Sequence, residues 1–280
     1  MIKIVADTLS CLSVETARDL DISYLPQIII FGSEEYRDDS EIDSETFLSK
    51  LKSSPTLPKT AAPAPALYTP IFKQLSDQGH TILVICPSAS LSGTLRSAEV
   101  AAQDFPNADI HIIDTRTIGA NLGSIVLEAH RWAKEGKTIE EILTGIRDMM
   151  ARARVYFLVD TLEYLHKGGR IGGAKALLGT ILQVKPILTL NNGVVEPFDS
   201  QRTKLKAVNR LKELVHNECA SRDCHLSIMH GGNLEEAQSL ASEFSQSLNI
   251  GEIPIYFVPP AILVHGGPGV LAAAFFAKSQ

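Results

Sequence analysis

The sequence predicts an α/β protein made of two α/β domains, an N-terminal parallel sheet flanked by helices and a C-terminal mixed sheet with helices. Three observations lead to this fold class. Short β-branched runs alternate with stretches of helical periodicity in the first half, and the second half contains an Asn191-Asn192-Gly193 hairpin signal. The chain has 280 residues, 45% of them hydrophobic, which is enough for about two domains with buried cores.

The first half alternates strands and helices, the order that produces a parallel sheet with helices on both faces. Its strand-like runs are β-branched and bounded by turn residues, and they lie at residues 2–6, 81–86 and 109–113. The amphipathic segments lie at residues 66–78, 94–105 and 120–135. Thr138 and Glu141 form a capping-box pattern that begins a separate helix, which ends near Ala153. We interpret the proline-rich residues 55–65 as a shaped loop.

The second half has a less regular order of elements. The predicted strands lie at residues 156–160, 183–190, 194–198, 224–230 and 254–258. The predicted helices lie at residues 162–166, 204–220, 234–248 and, as a wholly apolar closing helix, 269–277. The hairpin signal makes part of this sheet antiparallel. We place the domain boundary after residue 158, which gives domains 1–158 and 159–280.

Charge and composition argue against several classes of protein. The chain carries 26 basic and 32 acidic side chains, and its net charge of −6 argues against a nucleic-acid-binding protein, which needs a basic face. Only 6% of the residues are aromatic, so the apolar surplus is aliphatic and alanine-rich. Four cysteines do not make a disulfide framework, and no apolar run approaches transmembrane length. We expect a cytoplasmic protein without a bound metal or cofactor.

Polar side chains cluster where the predicted parallel strands end, which is where ligands of open α/β sheets bind. Asp7 and Thr8 follow the first strand, and Ser88-Ala89-Ser90-Leu91-Ser92-Gly93-Thr94 lies between a strand and a helix. The Ser92 hydroxyl and the amides after it predict an anion site at a helix N-terminus. An ordinary serine or threonine helix cap explains the same pattern, so both interpretations stay open.

Two glycine-rich segments carry further candidate residues. Arg170 stands within Lys167-Gly168-Gly169-Arg170-Ile171-Gly172-Gly173, where it can bind a carboxylate or phosphate, although a helix end followed by a basic turn also accounts for the segment. His265 precedes Gly266-Gly267-Pro268-Gly269 and can donate to an anionic or carbonyl ligand, with a loop histidine of ordinary partners as the alternative. Thr60 is expected to cap the helix that follows it.

Taken together, these motifs resemble the DegV family of bacterial fatty-acid-binding proteins over essentially the whole chain. The two most specific segments are Ser88-x-Ser90-Leu91-Ser92-Gly93-Thr94 and Asp160-Thr161-Leu162-Glu163-Tyr164-Leu165-x-Lys167-Gly168-Gly169-Arg170-Ile171. The other matching segments are Ala6-Asp7-Thr8, Lys59-Thr60 with Pro63, Lys185-Pro186-Ile187-Leu188, Arg202 and His265-Gly266-Gly267-Pro268-Gly269.

The resemblance implies a protein that binds one long-chain fatty acid in a buried channel between its two α/β domains. By similarity, Thr60, Ser92 and His265 hydrogen-bond the carboxylate, while Arg170 and Arg202 lie near the opening or a partner surface. The implied partner is a separate dihydroxyacetone-kinase-like fatty acid kinase that phosphorylates the presented carboxylate. The chain itself is then an acyl carrier and not an enzyme. It binds no nucleic acid, and transient contact with a membrane surface is compatible with this role.

One segment departs from the family pattern. The family usually has threonine-serine-glutamine-proline-serine where this chain has Thr60-Ala61-Ala62-Pro63-Ala64, so two hydroxyls and an amide are missing. Leu95 also replaces an aromatic residue, and Gly172 replaces a serine. These changes predict a simpler set of contacts to the carboxylate. The apolar helix expected at residues 270–276 is predicted to line a long, narrow channel.

Two other functions would use residues of the same motifs. A serine hydrolase needs Ser92 as nucleophile, His265 as base and Asp7 or Asp114 to orient the base, but the sequence has no G-x-S-x-G segment. A metal site is the second alternative, and successive residues of a strand face opposite sides, which keeps its candidate ligands from converging. Those candidate ligands are His216, Cys219, Cys224, His225 and His230.

Overall fold

The structure is a computed structural model of the chain and describes residues 1–179, 184–219 and 224–278. These residues form three sheets with helices packed on them. The strands are β1 Ile2–Asp7, β2 Ser23–Leu25, β3 Ile28–Phe31, β4 Glu34–Arg37, β5 Lys59–Ala61, β6 Thr81–Cys86, β7 Ile110–Asp114, β8 Ala153–Leu158, β9 Lys185–Asn191, β10 Val194–Gln201, β11 Ser227–His230, β12 Ile255–Phe257 and β13 Leu271–Phe276. The helices are α1 Val14–Asp19, α2 Ser44–Ser53, α3 Pro65–Asp77, α4 Thr94–Ala102, α5 Ala120–Lys134, α6 Ile139–Arg152, α7 Glu163–Lys167, α8 Lys204–Glu218, α9 Leu234–Ser247 and α10 Pro260–Gly266.

The four-stranded sheet of the N-terminal half confirms the predicted parallel sheet. Its order is β2-β1-β6-β7, and every neighbouring pair is parallel. Helices α3 and α4 pack against one face through Tyr68, Phe72 and Ala98, and α5 covers the other through Leu122 and Ile125. Because the sheet is buried on both faces, its central strands read as continuous apolar runs.

The C-terminal half forms the predicted mixed sheet, with the order β10-β9-β8-β13-β11-β12. Strands β11 and β12 are parallel, and the other neighbouring pairs of the described sheet are antiparallel. Asn192 and Gly193 connect β9 to β10 with φ angles of 48° and 81°, the left-handed conformation that a two-residue hairpin turn requires. Gln183, the first residue of a predicted strand, and Ala220, the last residue of a predicted helix, lie outside the described residues.

The apolar segment that we expect as a closing helix is a strand instead. Strand β13 lies between β8 and β11, and all six of its residues are buried. A strand covered on both faces shows no alternation of polar and apolar residues, so a short apolar run does not distinguish it from a buried helix. Gly267 and Gly269, each with a φ of +77°, end α10 and turn the chain into the strand.

Strand β8 belongs to the sheet of the C-terminal half, where it pairs with β9 and β13. The expected boundary after residue 158 would leave this strand in the first domain. A division by sheets falls before Ala153, where helix α6 ends. We therefore propose the boundary between residues 152 and 153.

A third, antiparallel sheet with the order β4-β3-β5 has no counterpart among the predicted elements. Its strand β5 lies inside the proline-rich stretch that we expect as a loop, and three residues are too few to show a strand period. Thr60 pairs with Ile29 of β3 and does not cap a helix, since α3 has Ala64 at its N-cap position.

The cysteines and the lengths of the helices can be compared with the expectations from composition. Cys219 and Cys224 are joined by a disulfide that the sequence analysis does not predict, whereas Cys11 and Cys86 are buried free thiols. The bond joins residues five apart in sequence, so it constrains only a local segment. Within the described ranges, the helices are all too short or too polar to cross a membrane.

Replacing Gly123 with alanine tests how closely α5 packs on the segment after β1. A Cβ at Gly123 would overlap the backbone carbonyl oxygen of Ser10. We expect Gly123→Ala to lower the free energy of unfolding by about 1–3 kcal/mol through overpacking, as measured by urea denaturation. Gly251→Ala is the matched control, because a Cβ there has no atom within 4 Å. Equal losses in the two variants would contradict the close approach.

Candidate functional site

A largely apolar cavity is lined by residues from both the N-terminal and the C-terminal half of the chain. The space within it, including its opening to solvent, amounts to about 980 Å³. Its walls come from both halves of the chain and are mainly aliphatic. Wall residues that represent both halves are Leu9, Ile118, Val155, Leu190, Met229 and Ala272.

Two of the predicted head-group residues, Thr60 and His265, are hydrogen-bonded to each other in this cavity. Thr60 Oγ1 lies 3.0 Å from His265 Nε2. Thr60 is positioned by the pairing of β5 with β3, and His265 stands in the last turn of α10. The two residues are 205 positions apart in sequence, so their bond joins the small N-terminal sheet to the C-terminal half.

The imidazole ring of His265 is neutral at pH 7. Burial, followed by the nearby positive charge of Arg170, lowers the pKa of His265 to about 4. The Nδ1 atom is buried and has no hydrogen-bond partner among the described residues. This nitrogen lies so close to Gly168 that a Cβ there would overlap it, so glycine at this position makes room for the ring.

Ser92 stands two residues before the start of α4, where the sequence predicts either an anion site or a helix cap. Its Oγ lies 3.0 Å from Thr94 Oγ1 and accepts a hydrogen bond from the Thr94 backbone N–H at 3.3 Å. The N-cap residue is Gly93, which has no side chain to bind the helix terminus. Ser92 also lines the cavity, so its hydroxyl is available to both the helix terminus and a ligand.

Behind Ser92, the carboxylate of Asp7 accepts three hydrogen bonds. Gln27 Nε2 and Thr94 Oγ1 donate to Asp7 Oδ2 at 2.8 and 2.7 Å, and the backbone N–H of Leu9 donates to Oδ1 at 3.1 Å. Asp7 is completely buried. These bonds tie the end of β1 to the start of α4 and to the segment before β3, and they fix the position of Ser92.

A second buried carboxyl group, that of Asp38, belongs to the same network. Its Oδ1 accepts hydrogen bonds from the Thr8 hydroxyl and the Gln27 backbone N–H, both at 2.8 Å, and its Oδ2 has no partner among the described residues. Desolvation raises the pKa of both Asp7 and Asp38 to about 7, although their hydrogen bonds oppose this effect. The pair therefore binds protons at pH values where ordinary aspartates are ionised.

Arg170 also lines the cavity, where backbone carbonyl groups hold its guanidinium. Its Nε donates to the carbonyl of Leu91 at 3.1 Å, and its NH1 donates to the carbonyl of Gly168 at 2.7 Å. These bonds place the positive charge beside the Ser92 segment and close enough to His265 to affect its pKa.

The structure brings four of the five predicted residues to one cavity. Thr60, Ser92, Arg170 and His265 line it, whereas Arg202 is exposed just before α8, and its place at a partner surface stays a prediction. Sequence reasoning missed Gln27 and Asp38. Neither residue stands in a strand-end or glycine-rich motif, and the one available signal was that a buried Asp7 needs hydrogen-bond donors.

The substitutions that depart from the family pattern have different surroundings. Ala62 lines the cavity, while Ala61 and Ala64 are exposed, so position 62 is where a polar group is missing from the cavity itself. The C-terminal apolar segment contributes to the wall as expected, through Val270 and Ala272, although it does so from a strand and the residue before it.

The two alternative functions fit this geometry less well. Ser92 and His265 share the cavity, but their hydrogen bonds go to Thr94 and Thr60, and Asp7 bonds to Thr94 rather than to the histidine. A triad instead joins nucleophile to base and base to acid. No group of three or more histidine, cysteine, aspartate or glutamate side chains in the described part of the chain is placed to hold a metal ion.

Comparison with known proteins identifies the family. The profile described as "Uncharacterised protein, DegV family" matches residues 1–278. The chain belongs to the DegV family. A DegV domain-containing protein of Halalkalibacterium halodurans is 30% identical to this DegV chain over 277 residues, which make up 98% of each protein. The match along nearly the whole length confirms the resemblance carried by the motifs.

Solved structures of other DegV proteins share the fold. A DegV family protein from Thermus thermophilus, described by its fatty acid binding, is 29% identical with a TM-score of 0.90, and the match covers 99% of each chain. DegV from Bacillus subtilis, described as a fatty acid binding protein, is 29% identical with a TM-score of 0.89 and the same coverage. These similarities confirm the predicted fold class.

The buried carboxyl groups make the stability of this DegV chain depend on pH. The pKa of Asp38 is about 7 in the folded chain against 3.8 for an ordinary aspartate, so the folded state binds more protons between these values. Its contribution to the free energy of unfolding therefore falls as pH rises from about 4 to about 7. The lowered pKa of His265 has the opposite effect. The contribution of His265 to the free energy of unfolding is lost as pH falls from 6.5 to about 4.

Asp38→Asn removes one of these acids. We expect the free energy of unfolding of the variant, relative to that of the unsubstituted protein, to be higher at about pH 8 than at about pH 5. Urea denaturation at the two pH values measures the change. Asp39→Asn is the control, because hydrogen bonds from Arg37 and Ser40 outweigh burial and lower the pKa of Asp39, which keeps it ionised over this range. A stability difference for Asp38→Asn that is the same at both pH values would contradict the raised pKa.

Proposed function

We propose that this DegV chain binds one long-chain fatty acid in the cavity between its two halves and holds the carboxylate at Thr60, Ser92 and His265. The observation that carries the proposal is that the cavity combines a mainly aliphatic wall with a cluster of polar groups. The relatives from Thermus thermophilus and Bacillus subtilis are described as binding fatty acids, which supports the same ligand class for this chain.

Burial of the acyl chain supplies most of the affinity in this proposal. Each methylene removed from water contributes about 0.8 kcal/mol, so an acyl chain of about 16 carbons gains roughly 12 kcal/mol before the costs of binding. The low aromatic content of 6% suits this role, because small and aliphatic side chains can line a narrow channel without filling it.

The polar groups suit a carboxylate that must be bound and then used. A buried carboxylate without partners is strongly unfavourable, so it needs donors, and the hydroxyls of Thr60 and Ser92 are of this kind. His265 is neutral at pH 7, and Arg170 donates to backbone carbonyls at 2.7 and 3.1 Å, so neither residue is committed to an ion pair. The carboxylate is thereby held by hydrogen bonds beside a positive charge.

We further propose that the protein is an acyl carrier that presents the carboxylate to a separate dihydroxyacetone-kinase-like fatty acid kinase. Arg202 is exposed and stands three residues before Leu205, whose side chain is 72% exposed. Arginine is enriched in protein–protein interfaces, so an exposed arginine at this position is compatible with a surface that binds the kinase. In this role the kinase carries out the phosphoryl transfer, and the carrier needs neither a catalytic group nor a cofactor.

Organic extraction of the purified protein followed by mass spectrometry tests the ligand class. We expect stoichiometric fatty acid, and we expect Ser92→Ala to weaken the binding of a fluorescent fatty acid by roughly tenfold or more, because one donor to a charged group is lost. Ser90→Ala is the matched control, since Ser90 is exposed in the same loop and lies outside the cavity lining. Lipid-free protein that does not bind the fluorescent acid would refute the ligand class. Labelling of Ser92 by a fluorophosphonate would instead favour the hydrolase.

A kinase assay tests the carrier role separately. With lipid-loaded protein below saturation, we expect Arg202→Gln to lower the rate of acyl phosphate formation by about tenfold while the affinity for fatty acid stays unchanged. Lys206→Gln removes the same charge from an exposed position four residues further on and should have little effect. Absence of acyl phosphate with the unsubstituted, lipid-loaded protein would contradict the carrier role without affecting the proposed ligand.

A further inference from the structure

A second, polar cleft lies at the carboxyl end of strand β7, and its lining does not include Thr60, Ser92 or His265. It encloses about 900 Å³, including its opening to solvent, and is formed by the loop after β7, helices α5 and α6, strand β8 and the β9–β10 hairpin. The carboxyl ends of parallel strands are the usual place for ligands in α/β sheets. The cleft and the apolar cavity share Val155 and Leu190 in their walls and otherwise have different linings.

Three guanidinium groups line this cleft, those of Arg116, Arg147 and Arg154, and none of its described lining residues is acidic. Arg116 and Arg147 are exposed and form no ion pair with a described residue, whereas Arg154 pairs with Glu218 at 3.3 Å. In a chain of net charge −6, these two arginines without an acidic partner among the described residues, beside the paired Arg154, give the concave surface a local positive potential that attracts anions.

The position of Arg154 is fixed by the backbone around it. Its NH1 donates to the carbonyl groups of Ala151 and Ala153 at 3.2 and 2.9 Å, in addition to the ion pair with Glu218. Arg116 is also held in place, because its backbone N–H donates to Asp114 Oδ1 at 2.8 Å and its φ is +53°. A left-handed backbone at a non-glycine residue is uncommon outside turns and functional sites.

A buried acceptor in the cleft lacks a partner. Asn121 is 1% exposed and lines the cleft, and its Nδ2 donates to the carbonyl of Arg154 at 2.9 Å. Its Oδ1 is buried and has no hydrogen-bond partner among the described residues. Because the donor end of the amide is already used, the free oxygen calls for a donor from a ligand, such as a hydroxyl group.

We propose that this cleft binds a small phosphate monoester that also carries hydroxyl groups, of the sugar phosphate class. The phosphate dianion matches the guanidinium groups, which bind phosphate through paired N–H donors. A ligand hydroxyl donates to Asn121 Oδ1. The concave shape and the buried amide favour a soluble small molecule over a lipid surface or a nucleic acid, because a small molecule can enter a concave site and contact a buried side chain in its lining.

Calorimetric titration of the full-length protein with ribose 5-phosphate, and in parallel with ribose, tests this site. We expect ribose 5-phosphate to bind with a dissociation constant below about 1 mM and ribose to give no signal. Arg147→Gln should weaken binding of the phosphate at least tenfold, because one guanidinium is removed. The readout is the heat of binding of a soluble ligand, so it does not depend on whether the apolar cavity holds a fatty acid.

Arg152→Gln is the matched control. Arg152 stands on the same helix, pairs with Asp148 at 2.6 Å and lies outside the cleft lining, and its loss changes the net charge by the same amount. Binding within twofold of the unsubstituted protein is expected for this variant. Equal weakening by both variants, or no binding of ribose 5-phosphate, would overturn the proposal. Arginine-dependent binding to phosphatidylglycerol vesicles without binding of the sugar phosphate would overturn it as well, because the ligand would then be a lipid surface.

Discussion

The buried carboxylate of Asp7 is the group on which the positions of Ser92 and Thr60, two residues of the proposed carboxylate site, depend. It stands at the end of β1 and accepts hydrogen bonds from the side chains of Gln27 and Thr94. Through Thr94 it fixes the start of α4 and the position of Ser92. Through Gln27 it fixes the segment that leads into β3, which in turn pairs with β5 and places Thr60. One acid therefore holds together segments that meet only in the folded chain.

Burial of a charged carboxylate at this position is unfavourable, and the surrounding hydrogen-bond donors offset part of this cost. Desolvation favours the neutral form of Asp7 and Asp38, while the donors around them favour the charged form, and the result is a pKa of about 7 for each. A network in which nearly every polar atom has a partner is rigid, because each bond restricts its neighbours. The polar side of the cavity, next to Asp7 and Asp38, is thus held in place by hydrogen bonds, whereas its aliphatic wall is held by packing contacts.

The sequence predicts those parts of the fold and the site whose signal is local. The strand-end position of Ser92 and the glycine-flanked His265 follow from short motifs. Strand β13 has no period because both its faces are buried, and β5 is only three residues long. Gln27 and Asp38 acquire their role only where β1, α4 and the small sheet meet. The same holds for Arg116, whose neighbours in the cleft come from distant elements.

In the proposed function, the aliphatic wall binds the acyl chain and the polar residues bind the carboxylate. This separation explains how the site tolerates its departures from the family pattern. In the proposed complex, burial of apolar area binds the acyl chain through many weak contacts, so no single wall residue decides the ligand class. In the proposed complex, a few directional hydrogen bonds position the carboxylate, and Thr60 and Ser92 would supply two of them. An alanine at position 62 removes one polar neighbour from the cavity and leaves these hydroxyls and the neutral His265 in place. Loss of that neighbour therefore changes how tightly the head group is oriented, and the wall still selects an aliphatic ligand.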